Sequence, residues 1–273
     1  MSNGDYCKQP VPPPLTASCY ICMDGGSDSD LLRNCACRGE AAGWAHVACL
    51  AEFAASQVAE VESNGQSRSK IPKIAYEYWS NCNICKTPYV MNMRLAMAGA
   101  CIKHYDHLED TNYMRCSSLS FMASASEEVG DYDGAMRLYT HLLEICKDKN
   151  KKGWDVRAQE AKLHHRIGSV CLEQGRFHDA STSLEKEIEI NVDIHGPNSL
   201  EVQDKKIYLD MLNRKIGKGR DKTVEDTATA LVLARKIFKK DRENRTNARE
   251  KVLCRYALIC ALERDGVNRW YLS

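Results

Sequence analysis

Cys19-Tyr20-Ile21-Cys22, Cys35-Ala36-Cys37, His46-Val47-Ala48-Cys49 and Cys82-Asn83-Ile84-Cys85 are the four words on which the reading of this chain turns. They hold seven of its 14 cysteines, in pairs, inside one segment. A C-x-x-C turn aims both sulfurs the same way, so two thiolates converge on one metal. With His46 the set offers eight donors, enough to close two tetrahedral zinc sites. A redox dithiol is the other use of such a pair, but four pairs with an imidazole among them favour metal. A catalytic zinc keeps one position open for water, whereas here protein fills every position. The two expected Zn²⁺ ions are therefore structural, and no catalytic residue is expected. A segment of about 70 residues with few large apolar side chains would fold on that metal, which supplies roughly 10–16 kcal/mol per site.

Working outward, the other cysteines are single. Cys101, Cys116, Cys146, Cys171, Cys254 and Cys260 sit in apolar helical pattern, where a free cysteine behaves as a small hydrophobe. Cys7 belongs to a proline-rich stretch (Pro10, Pro12, Pro13, Pro14). Residues 1–17 read as a disordered lead-in and, lacking an apolar core, not as a secretory signal. Mean hydropathy is −0.46 and no run of about 18 apolar residues occurs, so no membrane span is expected. Lys and Arg number 38 against 37 Asp and Glu, a net charge of +1, which removes any strong global pull toward nucleic acid. The expected setting is cytoplasmic or nucleocytoplasmic, where thiols stay reduced. At 273 residues the chain is long enough for two modules.

The ligand order Cys, Cys, Cys, Cys, His, Cys, Cys, Cys, with Cys35-Ala-Cys37 one residue apart and eight residues between Cys37 and His46, resembles the RING-CH (RINGv) finger. Cys37-Arg38-Gly39, Ala45-His46-Val47-Ala48-Cys49-Leu50 and Lys86-Thr87-Pro88-Tyr89 agree with it. The PHD finger, a histone-tail reader, shares the order. It typically has a longer step between its third and fourth ligands and a tryptophan two residues before the seventh, whereas Trp79 lies three before Cys82. The resemblance implies a cross-brace, a small α+β finger over residues 18–90. Cys19, Cys22, His46 and Cys49 would hold the first zinc, and Cys35, Cys37, Cys82 and Cys85 the second.

Many RING-CH proteins are E3 ubiquitin ligases that position a charged E2 enzyme and carry no nucleophile of their own. The resemblance maps E2 contacts onto Ile21, between the first two ligands, Phe53, four residues after the sixth, and Lys86, after the last. The frequent proline between the last two ligands is replaced by Asn83-Ile84, and lysine lacks the planar fork of arginine. The 32 residues between Cys49 and Cys82 exceed the usual gap. Leu50, Phe53, Ala54, Val58 and Val61 recur at helical spacing, and Asn64–Lys70 reads as a polar excursion. Ile21 and Phe53 could equally pack the finger's core. The alternative is then a non-catalytic adaptor with a structural finger, and whether the protein is an enzyme stays open.

From Met91 on, helix formers dominate. Residues 91–110 read as a linker helix and residues 111–273 as helical repeats. Gly130-Asp-Tyr132-Asp-Gly-Ala135 and Gly175-Arg-Phe177-His-Asp-Ala180 align at an offset of 45 residues, as do Met122 with Ile167, Ala123 with Gly168, Tyr139 with Leu184 and Ile145 with Ile190. Glycine ends one helix, the aromatic fills the gap, and alanine lets the next helix approach. This resembles tetratricopeptide (TPR) repeats, and the long spacing with His195-Gly196-Pro197-Asn198 is similar to the kinesin-light-chain-like type. An all-α solenoid of helical hairpins that recruits a protein partner is implied. A third unit is expected from about Val202 to Lys240, and Thr246–Glu263 offers a capping face. The 13 Lys/Arg against 8 Asp/Glu after Gly219 read as a solvated helix surface. Asn244-Arg-Thr246 is a formal sequon. His104 with His107 and His164 with His165 read as solvated or capping residues.

Overall fold

The computed structural model describes residues 13, 16–25, 31–37, 42–64 and 71–215. The expectations for the lead-in before Pro13, the excursion after Asn64, the third unit beyond Lys215, the sequon, the capping face and the basic tail lie outside them. Among the described residues, two strands, β1 (Leu31–Leu32) and β2 (Ala45–His46), are followed by eight helices, α1 (Val47–Ser63), α2 (Ile71–Ser80), α3 (Met91–His104), α4 (Tyr113–Glu128), α5 (Tyr132–Lys151), α6 (Arg157–Glu173), α7 (Phe177–His195) and α8 (Leu200–Lys215). The fold class is the expected one, a small finger-like region with a two-stranded sheet followed by TPR-like helical hairpins. The chain divides into two compact units at Trp154 and Asp155.

In the first unit β1 and β2 pair antiparallel, Leu31 with His46 and Leu32 with Ala45. Leu50, Ala54 and Val58 recur every four residues and bury one stripe of α1. They meet Trp44, Trp79, Tyr89 and, from α3, Met93 and Met97 in one apolar core that also takes in Phe121 and Ala125 of α4. Trp79, on α2, is 2 % exposed and among the largest fully buried side chains. Burying a side chain of that size contributes on the order of 2–3 kcal/mol.

The repeat motif closes hairpin α4/α5 as its spacing requires. Gly130 has φ +84°, a left-handed value open to glycine at little cost. The Asp131 N–H bonds to the Ser126 carbonyl at 2.9 Å and the Gly130 N–H to Glu127 at 3.2 Å, the Schellman pattern that satisfies the last helical carbonyls. Asp131 then caps α5 by accepting from the Gly134 N–H at 2.9 Å. A Cβ on Gly134 would meet that carboxylate at 2.0 Å, so a larger residue there would have to displace the cap. Ala135 and Tyr139 are buried against α4, and the Tyr139 hydroxyl donates to Glu127 at 3.0 Å.

The second unit repeats the device. Gly175 has φ +71°, and Arg176 N–H to Cys171 and Gly175 N–H to Leu172 reproduce the same two bonds at 2.8 and 3.0 Å. A Cβ on Gly168 would sit 3.2 Å from Leu184, the close approach that the motif predicts. One departure is electrostatic. Glu187 of α7 has a side chain only 4 % exposed. It accepts from His165 Nδ1 on α6 at 3.0 Å and pairs with the Lys205 ammonium on α8. Burial raises its carboxyl, but the His165 hydrogen bond and both positive neighbours outweigh that and hold it below its ordinary 4.5. His164 is buried rather than solvated.

Candidate metal centre

Both end pairs of the finger fold into the same knuckle. The Cys19 N–H bonds to the Asp24 carbonyl and the Met23 N–H to the Cys19 carbonyl, at 2.9 and 2.8 Å. Cys82 N–H to Thr87 and Lys86 N–H to Cys82, both at 2.9 Å, repeat the pattern 63 positions on. The residue after each knuckle takes a left-handed backbone, Met23 at φ 62° and Lys86 at φ 58°. Such a conformation costs a non-glycine residue about 1–2 kcal/mol, and strain of this kind concentrates at functional sites. Neither residue is glycine, so nothing in the residue types signals the left-handed backbone that closes these turns.

The knuckles and strands bring the expected donors into two groups. Cys19, Cys22, His46 and Cys49 offer ligand atoms all within 4.8 Å of one another, and so do Cys35, Cys37, Cys82 and Cys85. In the first, His46 Nδ1 lies 3.4 Å from Cys22 Sγ and 3.7 Å from Cys49 Sγ. In the second, Cys37 Sγ lies 3.7 Å from Cys82 Sγ. Four sulfurs around zinc at about 2.3 Å would stand about 3.7 Å apart, and a sulfur and an imidazole nitrogen about 3.5 Å. A disulfide would need about 2.05 Å, and all seven cysteines are free thiols. The donor set, its spacing and the lack of covalent bridging fit zinc.

Supporting residues fix the donors. β2 carries His46 directly into α1, where its ring faces the thiols and makes no cap. Gly43 (φ +80°) backs Cys37, since a Cβ there would come 2.7 Å from the Cys37 Cβ. The Thr87 hydroxyl takes the Ala36 N–H at 3.2 Å and lies 3.0 Å from Cys85 Sγ, tying the C-x-C step to the last pair. The Tyr20 hydroxyl on the first knuckle reaches Asn83 on the last. Burial pushes the Cys19 thiol up, yet backbone N–H groups of Cys22, His46 and Ile21 outweigh it and hold it near about 7. The Cys35 thiol, bonded to Cys82, holds Cys82 down to about 4 and is itself pushed up by the same bond and by burial. Burial pushes the Cys37 and Cys49 thiols up instead, so each group pairs a sulfur poised to ionise with one held neutral.

Of the expected E2-facing residues, Ile21 is half-buried against the finger's core, Phe53 is half-buried on α1, and Lys86 is exposed. Two exposed apolar residues went unread in the sequence: Ile84, 53 % exposed at the tip of the last knuckle, and Met23, 74 % exposed after the first. Cys101, Cys146 and Cys171 are buried and Cys116 is half-buried. His104 and His107 are exposed, and neither joins a three-donor group among the described residues. Among those residues, no helix is long and apolar enough to cross a membrane.

Comparison with known proteins agrees with this geometry. The RING-variant domain family matches residues 19–85, the span from first to last donor, and a tetratricopeptide repeat family matches residues 118–153, the first hairpin. No curated protein matches the chain. Among solved structures, kinesin light chain nearly identical TPR-like repeats from Podosopora anserina match with 13 % identity and a TM-score of 0.42, over 81 % of this chain and 89 % of that one. A single-substitution variant of the same repeats matches with 13 % identity and a TM-score of 0.42, over 79 % and 86 %.

Proposed function

We propose that this protein binds two structural zinc ions through its RING-CH-type finger and acts as an E3 ubiquitin ligase, with the TPR-like hairpins recruiting a protein partner or substrate. The observation that carries the reading is the interleaving of two four-donor groups along the chain, with an apolar residue standing outward on the last knuckle. Cys19, Cys22, His46 and Cys49 hold one ion and Cys35, Cys37, Cys82 and Cys85 the other, and each ion serves as a cross-link that fixes the knuckles. Ile84 takes the place of the frequent proline, and together with Ile21, Phe53 and Lys86 it forms the E2-facing surface. Transfer then needs no residue of this chain as nucleophile. The substrate lysine amine attacks the E2–ubiquitin thioester, the C–S bond breaks and an isopeptide bond forms, with catalysis by positioning. On this reading the finger extends over residues 18–90, and its reliance on free thiolates suits a reducing compartment, the cytoplasm or nucleus.

The half-burial of Ile21 favours a second reading, a non-catalytic adaptor in which that residue serves the finger's core. Ubiquitination assays with a panel of E2 enzymes separate the two. Wild type should build ubiquitin conjugates, and Ile84→Ala should lower the rate about tenfold with zinc content unchanged. Two zinc ions per chain with no conjugation by any E2 would leave the adaptor.

A further inference from the structure

On the side facing the finger, hairpin α4/α5 shares the finger's apolar core through Phe121 and Ala125. Phe121 of α4 lies in the same apolar core as Trp79 and Met93, and its ring meets Tyr76 of α2 edge-on at 5.4 Å. Arg94 of α3 stands 5.5 Å over the Phe121 ring, donates to Ser124 at 2.9 Å and lies 3.3 Å from Glu128. The other Glu128 oxygen accepts the Met91 N–H at 2.7 Å. It thereby caps a helix whose own N-cap residue, Val90, has no side chain able to do so. The Val90 N–H in turn donates to Asn34, next to Cys35, at 3.1 Å. At the far end of α3, Arg115 of α4 donates to the Ile102 carbonyl at 3.1 Å. A connected path of hydrogen bonds and packing therefore runs from the second donor group through α3 into α4. From α4 it reaches α5 through the Tyr139–Glu127 bond.

The geometry points to a metal-gated repeat. The finger and hairpin α4/α5 form one cooperative folding unit, so any surface this hairpin offers a partner exists only while metal holds the finger. This rests on the zinc reading above and adds regulation to it. A ligand that binds only the folded unit stabilises all of it, and the coupling is reciprocal, so loosening the hairpin must loosen the metal by the same factor. Loss or oxidation of the finger thiolates would then release a partner held on the first repeat. Hairpin α6/α7, in the second unit, keeps its fold.

Hydrogen exchange followed by mass spectrometry on the full chain tests this, before and after zinc is stripped with EDTA and with zinc counted in the same samples. Peptides from α1 to α3 and from α4/α5 should lose protection together, while those from α6 and α7 keep theirs. Continued protection of α4/α5 after the finger has opened overturns the proposal. A purified chain without zinc removes the metal reading and the proposal with it, and the metal count tells that failure apart. The reverse arm uses Leu142→Ala on α5, a buried position that donates nothing to either group. It should weaken zinc affinity about tenfold in equilibrium competition with a chelating dye, whereas Leu184→Ala on α7 should not. Equal affinities in the two variants overturn the coupling.

Discussion

The two helical hairpins carry one motif at a fixed offset and use it identically at the turn, yet differ on their outer faces. Glu128 and Glu173 end their first helices, Tyr132 and Phe177 begin their second, and Ala135 and Ala180 are both fully buried. Where α4 places Phe121 into the finger's core, the position 45 residues on is the exposed Arg166. The second hairpin instead spends its inward polarity on Glu187, held between His165 and Lys205. A repeat motif dictates the turn and the contact between its own helices. What each hairpin does with its remaining surface is decided by its neighbours.

The largest effect should come from breaking the hydrophobic side of that contrast. Phe121→Ala should destabilise the first unit by about 3–5 kcal/mol through transfer and cavity terms. Arg166→Ala, at the matching exposed position, should cost no more than about 1 kcal/mol, the scale of an exposed charged contact. Denaturant unfolding of the two variants measures both, and equal losses would erase the distinction between the hairpins.

The electrostatic side is next. Glu187→Gln keeps the shape but removes a buried charge bonded to the His165 ring and the Lys205 ammonium. It should cost the second unit about 1–3 kcal/mol. Because the Glu187 carboxyl lies below its ordinary 4.5 in the folded state, its contribution is complete above that pH. It is lost as pH falls through the lower folded value. Thermal melts between pH 7 and pH 3 should therefore show wild type and variant converging in acid, and a constant gap would contradict the assignment.

The smallest effect should fall where the hairpins agree. Gly130→Ala and Gly175→Ala meet nothing within 4 Å, so only left-handed backbone strain remains, about 1–2 kcal/mol in each. Equal costs would sharpen the comparison, whereas a large asymmetry would show that the turns are not equivalent.

What could be read ahead of the structure follows from how local each signal is. The donors announce themselves by spacing, and the hairpin turns by glycine, aromatic and alanine at fixed intervals. The Leu50–Ala54–Val58 stripe of α1 was equally plain. α2 was not, because ten residues of Ile71-Pro-Lys-Ile-Ala-Tyr-Glu-Tyr-Trp-Ser80 are too few for a periodic pattern to stand out. Its Trp79 becomes a core residue only through partners such as Leu50 and Met93, far away along the chain. His165 reads in the sequence as a solvated or capping residue and Glu187 carries no signal of its own, since the burial of one carboxylate depends on three helices meeting around it. The exposure of Ile84 likewise depends on the left-handed turn at Lys86, which the residue types do not signal.

The alternation of the donor groups also sets a timetable during synthesis. The first group is complete once Cys49 leaves the ribosome, but Cys35 and Cys37 must wait for Cys85. At roughly 5–20 residues per second that is a delay of about 2–7 seconds. Through that interval two thiols stand unclaimed beside a finished set of four. The nascent chain is then most open to capturing an ion with the wrong combination of sulfurs, before its last knuckle has been made.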